Sequence, residues 1–260
     1  MKNEMSIEHV LNNLSNAINI GHFLEEMVSE KLFSTIERMT QNQQKLSFPM
    51  MQWETMIWDV CCSFEHKELW FAPKQWIYSN LENSSDEFFN ISQSYAFFKL
   101  AHHDKESHYN ADDNFMTNSS NRLPTSSFFN NDNGYITIKF ILNYELIDQL
   151  IDKNTNISKA DFDLKRYQAR RKWNSFRART LMQYQDLKKC GFELDDYSTF
   201  WALKIEPLNS DLFMCEYNQG LLYHSLEPIL CAIKRINENF NIFDEMQKKA
   251  EEYYLEIEKG

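Results

Sequence analysis

Glycine is the scarcest informative residue in this chain: five in 260 positions, Gly21, Gly134, Gly191, Gly220 and Gly260, never closer together than 29 residues. A phosphate loop, a dinucleotide-binding turn and a nucleophile elbow each need two or more glycines within about six residues. Only glycine lets backbone approach phosphate closely, or adopt positive φ, at little cost. The sequence therefore excludes these three enzyme classes in their usual forms. Long apolar runs are also missing, and nothing approaches the roughly 18 residues that a membrane span requires. The first residues, Met1 to Glu8, carry two glutamates and no apolar core, so a secretory signal is not expected. Cysteine is sparse and odd in number: Cys61, Cys62, Cys190, Cys215 and Cys231. Adjacent Cys61 and Cys62 could pair only under strain, so a reducing, cytoplasmic setting is expected rather than a disulfide framework.

What is abundant is aromatic surface. Twenty Phe, twelve Tyr and six Trp, in a chain that is 43% hydrophobic, argue against global disorder and for a large core.

Periodicity predicts helices in the first forty residues, where Ile7, Val10, Leu11, Leu14 and Ile18 follow 3–4 spacing and Phe23, Met27, Leu32 and Ile36 resume it past Gly21. Residues 50–82 are ambiguous between helix and strand, with Leu69-Trp70-Phe71 and Trp76-Ile77-Tyr78 reading as short strands. Ser84-x-x-Glu87 resembles a capping box for a helix reaching about residue 99, with Phe88, Ile91, Tyr95 and Phe98 on one side. The polar stretch 101–134 is the expected place for a subdomain boundary within an otherwise single globular unit, 1–260. Tyr135 to Asn143 alternates as a strand, Ile136, Ile138, Phe140 and Leu142 against Thr137, Lys139 and Asn143. A short helix over Leu146–Ile151 follows, then a long one from Ser158 to the stop signal Lys188-Lys189-Cys190-Gly191. Tyr197 to Ile205 alternates as another strand, with Leu212–Tyr217 expected to pair beside it. Last comes a near-heptad seam, Ile229, Ile233, Ile236, Phe240, Phe243, Met246, Ala250, Tyr253 and Ile257. Such a seam packs against its own chain or supports a homodimer through the C-terminal helix. The fold class is α+β, helix-rich, with long N- and C-terminal helices and a small mixed or antiparallel sheet.

Charge is unevenly placed. Between Leu164 and Cys190 lie nine basic residues against the single acid Asp186, in a chain of net charge −11. The binding candidates there are Lys165, Arg166, Arg170, Arg171, Lys172, Trp173, Arg177 and Arg179. Phe176, Thr180, Tyr184 and Leu187 form the expected buried stripe, leaving Arg166, Arg170 and Arg177 outside it. Arginine forks suit carboxylate or phosphate, and a basic helix beside aromatic rings suits nucleic acid. The plain alternative is a solvated face, or one packed on the molecule's own acids. His102, His103 and His108 have metal-ligand chemistry at spacings that fit zinc poorly, and His224 in an apolar run reads as a core histidine. Lys204-Ile205-Glu206 runs opposite to the order a nuclease would need. No cofactor is implied.

The functional expectation is a non-enzymatic intracellular protein-binding or inhibitor protein, of immunity-factor or host–parasite-antagonist type, with a protein partner and no membrane. The alternatives are a nucleic-acid-binding component using residues 164–190, and a metal-dependent hydrolase or nuclease with an unrecognised site.

Overall fold

The computed structural model describes most of residues 28–38, residues 53–58, 68–78, 93–104, 128–129 and 134–152, and 159–259 apart from 221. Six strands form one sheet: β1 (Trp53–Trp58), β2 (Glu68–Pro73), β3 (Ala96–Asp104), β4 (Gly134–Leu142), β5 (Phe192–Leu194) and β6 (Phe200–Lys204). Their order is β1-β2-β3-β4-β6-β5, and every neighbouring pair is antiparallel. Among the described residues, five continuous α-helices accompany them: α1 (Glu145–Asp152), α2 (Lys159–Met182), α3 (Ser210–Asn218), α4 (Glu227–Glu238) and α5 (Phe240–Lys259). The α+β class is as expected, and the sheet is antiparallel throughout. Of the N-terminal helix only scattered helical residues between 28 and 38 are described, with Leu32 and Ile36 buried.

One sheet face is aromatic and packs on α5. Phe243 touches Phe98, Phe140 and Phe192 at ring-centroid distances of 5.1, 4.8 and 5.3 Å. Phe240 stacks on Trp76 at 5.4 Å, and the Trp76 Nε1–H donates to Asp244 at 3.0 Å. Such offset and edge-on pairs add to the area that the rings bury. The seam residues from Ile229 to Ala250 are thus consumed inside the molecule. Of the two readings of the seam, this is packing against its own chain, with the apolar face partnered by its own sheet. The seam is also divided between α4 and α5 at Asn239.

The opposite face is covered as well. Trp70, Phe97, Ile141 and Phe200 are buried there, together with Thr137 and Lys139. In β4, strand alternation therefore marks two interior faces.

Three local expectations are corrected. The helix expected up to residue 99 gives way to β3, in which Phe97, Phe98 and Leu100 are all buried, so packing on both faces overrides the 3–4 spacing. Segment 212–217 is helix, not strand: Asn209 caps α3 by accepting the Leu212 N–H at 2.9 Å. The long basic helix stops at Met182, and a 3-10 turn over Gln185–Cys190 carries the chain to Gly191, whose φ of 83° ends it. The polar stretch 101–134 connects two paired strands, β3 and β4, so the sheet runs unbroken across it. Most of that stretch lies outside the described residues.

Candidate interaction surface on the basic helix

Helix α2 owes its orientation to aromatic anchoring. Trp173 is fully buried, 5.5 Å from Tyr253 and 5.0 Å from Tyr254 of α5. Phe176 stacks on Tyr253 at 4.4 Å with rings 18° apart. The Trp201 indole on β6 donates to the Leu181 carbonyl at 3.2 Å and ties down the helix end. The inward stripe is thus Arg166, Ala169, Arg170, Trp173, Phe176, Arg177, Thr180 and Leu181, all buried or half-buried.

This geometry sorts the sequence candidates. Lys165, Arg171, Lys172 and Arg179 are exposed. Arg166 and Arg170 are half-buried, and the Arg170 guanidinium lies 5.6 Å from the Tyr144 ring centroid. Arg177 is only 8% exposed. Arg166, Arg170, Trp173 and Arg177 fall at 4-, 3- and 4-residue steps on one helical face, and that face turns inward. Trp173 and Arg177 are therefore structural, and the expectation that Arg166, Arg170 and Arg177 lie outside the buried stripe is overturned.

The outer face carries a cationic column, Lys165, Lys172 and Arg179, at seven-residue intervals of about 10.5 Å. Arg179 Nε donates to the Ser175 carbonyl at 3.2 Å, which lays that side chain along the helix. Large apolar side chains interrupt the charge: Leu164 is 55%, Tyr167 65% and Met182 55% exposed. Beyond the helix, Lys188 and Lys189 are exposed, but Lys189 is engaged at 2.6 Å by Asp186.

The metal candidates are described only in part. His102 and His103 are consecutive β3 residues, in register with Ile136 and Tyr135, and not members of a loop. His108 lies outside the described residues. Among the described residues no group of three His, Cys, Asp or Glu side chains could hold a metal ion. His224 is exposed, not a core residue; its backbone N–H donates to Glu216 at 3.0 Å.

Sequence reasoning missed two polar sites. Glu216, at the C-terminal end of α3, is 7% exposed and accepts hydrogen bonds from Tyr223, His224 and Ser225. Burial alone would raise its pKa, but those donors, Ser225 foremost, bring it down to about 2. Lys139 on β4 is 9% exposed, its Nζ 4.4 Å from the Phe200 ring centroid. Burial, reinforced by Lys99 and opposed by Asp195, lowers its pKa to about 8. The strand pattern assigned Lys139 to the polar side, and nothing in one sequence tells a solvated polar side from a covered one.

Comparison with protein-family models, curated proteins and solved structures returns no match to this chain. Among the described residues no helix is long and apolar enough to cross a membrane.

Proposed function

We propose that this chain is a non-enzymatic, cytoplasmic protein-binding or inhibitor protein, of immunity-factor or host–parasite-antagonist type, and that the outer face of α2 engages an acidic partner protein. The supporting observation is the alternation, on one exposed face, of Lys165, Arg171, Lys172 and Arg179 with Leu164, Tyr167 and Met182. Cations steer and orient an acidic partner, while exposed apolar side chains supply the area that a protein interface buries at its centre. The three described cysteines, Cys190, Cys215 and Cys231, are free thiols, as a reducing compartment would keep them.

The nucleic-acid reading is weakened by the same geometry. Base stacking needs open rings, yet Trp173 is buried, Phe176 lies under Tyr253, and Tyr184 has the Lys249 ammonium 4.8 Å from its ring centroid. Besides charge, the exposed Tyr167 ring is what α2 leaves to it.

The test is a capture experiment from nuclease-treated extract of the native cell, followed by reconstitution of the purified pair. The K165E/K172E/R179E variant should bind the partner at least tenfold more weakly, and the wild-type affinity should fall with salt. An unchanged affinity in that variant would overturn the reading. So would capture that disappears on nuclease treatment, with purified duplex or single strands binding in its place.

A further inference from the structure

Strand β5 is one edge of the sheet, and its register fixes which of its backbone groups are spare. The Asp195 N–H donates to the Phe200 carbonyl at 3.3 Å, so residues 195 and 200 are a hydrogen-bonded pair. Antiparallel ladders alternate such pairs with unbonded ones, which makes Glu193 and Ala202 the next bonded pair. The far side of β6 agrees. Ile205 donates to the Ile136 carbonyl at 2.9 Å, so Leu203 and Trp201 turn their groups to β4 and leave Ala202 to β5. The N–H and C=O groups of Phe192 and Leu194 therefore point away from β6, past the edge of the sheet. Among the described residues no hydrogen bond takes them up. A cleft of about 440 Å³ lies on this edge, lined by Lys188, Gly191, Phe192, Glu193 and Leu194.

Outward donors and acceptors in alternation are the pattern that another extended strand matches, and an uncovered edge is a template for one. Charge at the Gly191 end selects among strands. Lys188 is exposed there, and the exposed Arg235 of α4 brings Nη1 to 2.9 Å from the point a β-carbon on Gly191 would occupy. Neither cation forms an ion pair among the described residues. A second copy of this chain is a poor occupant. Symmetric pairing of β5 with itself engages all the outward groups only when 192 faces 194, and that register sets Glu193 directly against Glu193 of the second copy. Directly opposed like charges destabilise a strand pair. Glu193 is exposed, on the face opposite to Phe192, which packs on Phe243 of α5.

We propose that this edge receives an extended, acidic segment of a partner protein, which joins the sheet beside β5 as an added strand. Its backbone bonds to Phe192 and Leu194, and an Asp or Glu at its end nearest Gly191 meets Lys188 and Arg235. The main chain supplies the adhesion and the two cations supply the selectivity. The site is separate from the exposed face of α2 and stands without the partner reading above.

The test pans phage-displayed random decapeptides against the full chain at low salt, then measures a synthesised enriched peptide by fluorescence anisotropy. Enriched peptides should carry Asp or Glu, and hydrogen exchange at the Phe192 and Leu194 amides should slow on binding. Leu194→Pro removes an outward N–H while sparing the ladder to β6, and should weaken binding about fivefold. N-methylation of one of the two alternating sets of peptide amides should weaken binding to the wild-type chain as much, which keeps the test decisive if the proline variant does not fold. K188E/R235E should weaken binding about tenfold, and K165E/K172E/R179E should leave it unchanged. No enriched peptide, binding indifferent to both L194P and N-methylation, or binding lost in the α2 variant overturns the proposal. So do Phe192 and Leu194 amides already protected in the free chain, by its own residues or, where protection grows with concentration, by a second copy.

Discussion

The Trp173 indole lies 5.0 Å, centroid to centroid, from the ring of Tyr254, and together with the Phe176–Tyr253 stack this contact sets the roll of α2 about its own axis. Turning the helix by one residue would drive Arg166 and Arg177 outward and bury Lys172. Trp173→Ala removes a fully enclosed side chain and should cost about 3–5 kcal/mol, read as a lower denaturant midpoint at unchanged slope. Trp173→Phe keeps an aromatic wedge and should cost clearly less. Equal losses in the two variants would show that the ring contact does not hold the helix.

The outer face of the same helix should behave oppositely. Lys165, Lys172 and Arg179 are exposed, and no ion pair to another described residue involves them. Each single reversal to Glu should shift stability by no more than about 0.5 kcal/mol. A loss of several kcal/mol from any one of them, measured by thermal or urea unfolding, would mean that the column is structural and not an interaction surface.

The contrast between the two faces shows what the sequence could and could not reveal. Residue types placed a long basic helix before Gly191 and a strand over residues 135–143, observed as β4 over 134–142, because both patterns are local and strong. The roll of α2 was not legible: Phe176 and Thr180 were correctly placed inside, yet Trp173 and Arg177 complete the same stripe, and an arginine there reads as surface until Tyr253 and Tyr254 are seen against it. Strand β3 was hidden because its nine-residue pairing with β4 spans about thirty intervening residues, and no local spacing encodes a partner so far away. The grouping of three lysines on one sheet face is illegible for the same reason. Lys99, Lys139 and Lys204 meet only through the order β3-β4-β6.

Lys139 makes a pH prediction whose sign follows from its lowered pKa. Below about pH 8 the ammonium is present in folded and unfolded chains alike, and the folded state bears the full burial penalty. Between about 8 and the ordinary 10.5 the folded chain binds fewer protons, so stability contributed by this residue rises with pH. Lys139→Met should therefore stabilise the protein by about 2–3 kcal/mol at pH 7, and the gain should shrink towards pH 10.5. The charged and titratable neighbours on this face, Lys99, Lys204, Tyr135, Glu193 and Asp195, are common to both proteins, so the difference between wild type and variant isolates Lys139. A gain that is constant from pH 7 to 10.5 would show that burial of the charge is not the cause.

Glu216 gives the converse case at acid pH. Its carboxylate joins the end of α3 to the turn before α4, accepting from the Tyr223 N–H at 2.9 Å, the His224 and Ser225 N–H groups at 3.0 Å, and the Ser225 hydroxyl at 2.7 Å. These donors favour the ionised form more than burial disfavours it, which displaces the pKa from 4.5 to about 2. The resulting stabilisation, about 2–3 kcal/mol, is fully present above pH 4.5 and is lost as pH falls towards 2. Glu216→Gln, which keeps one acceptor oxygen but brings an amide against backbone donors, should cost about that much at pH 7. The gap between the two proteins should close as pH falls through the window from 4.5 to 2, tracked by denaturant unfolding at each pH. Glu216→Ala leaves three backbone N–H groups without their acceptor and should be worse than Gln at every pH in that range. A gap between wild type and Gln that persists unchanged at pH 2 would mean that shape, and not the carboxylate charge, holds this turn.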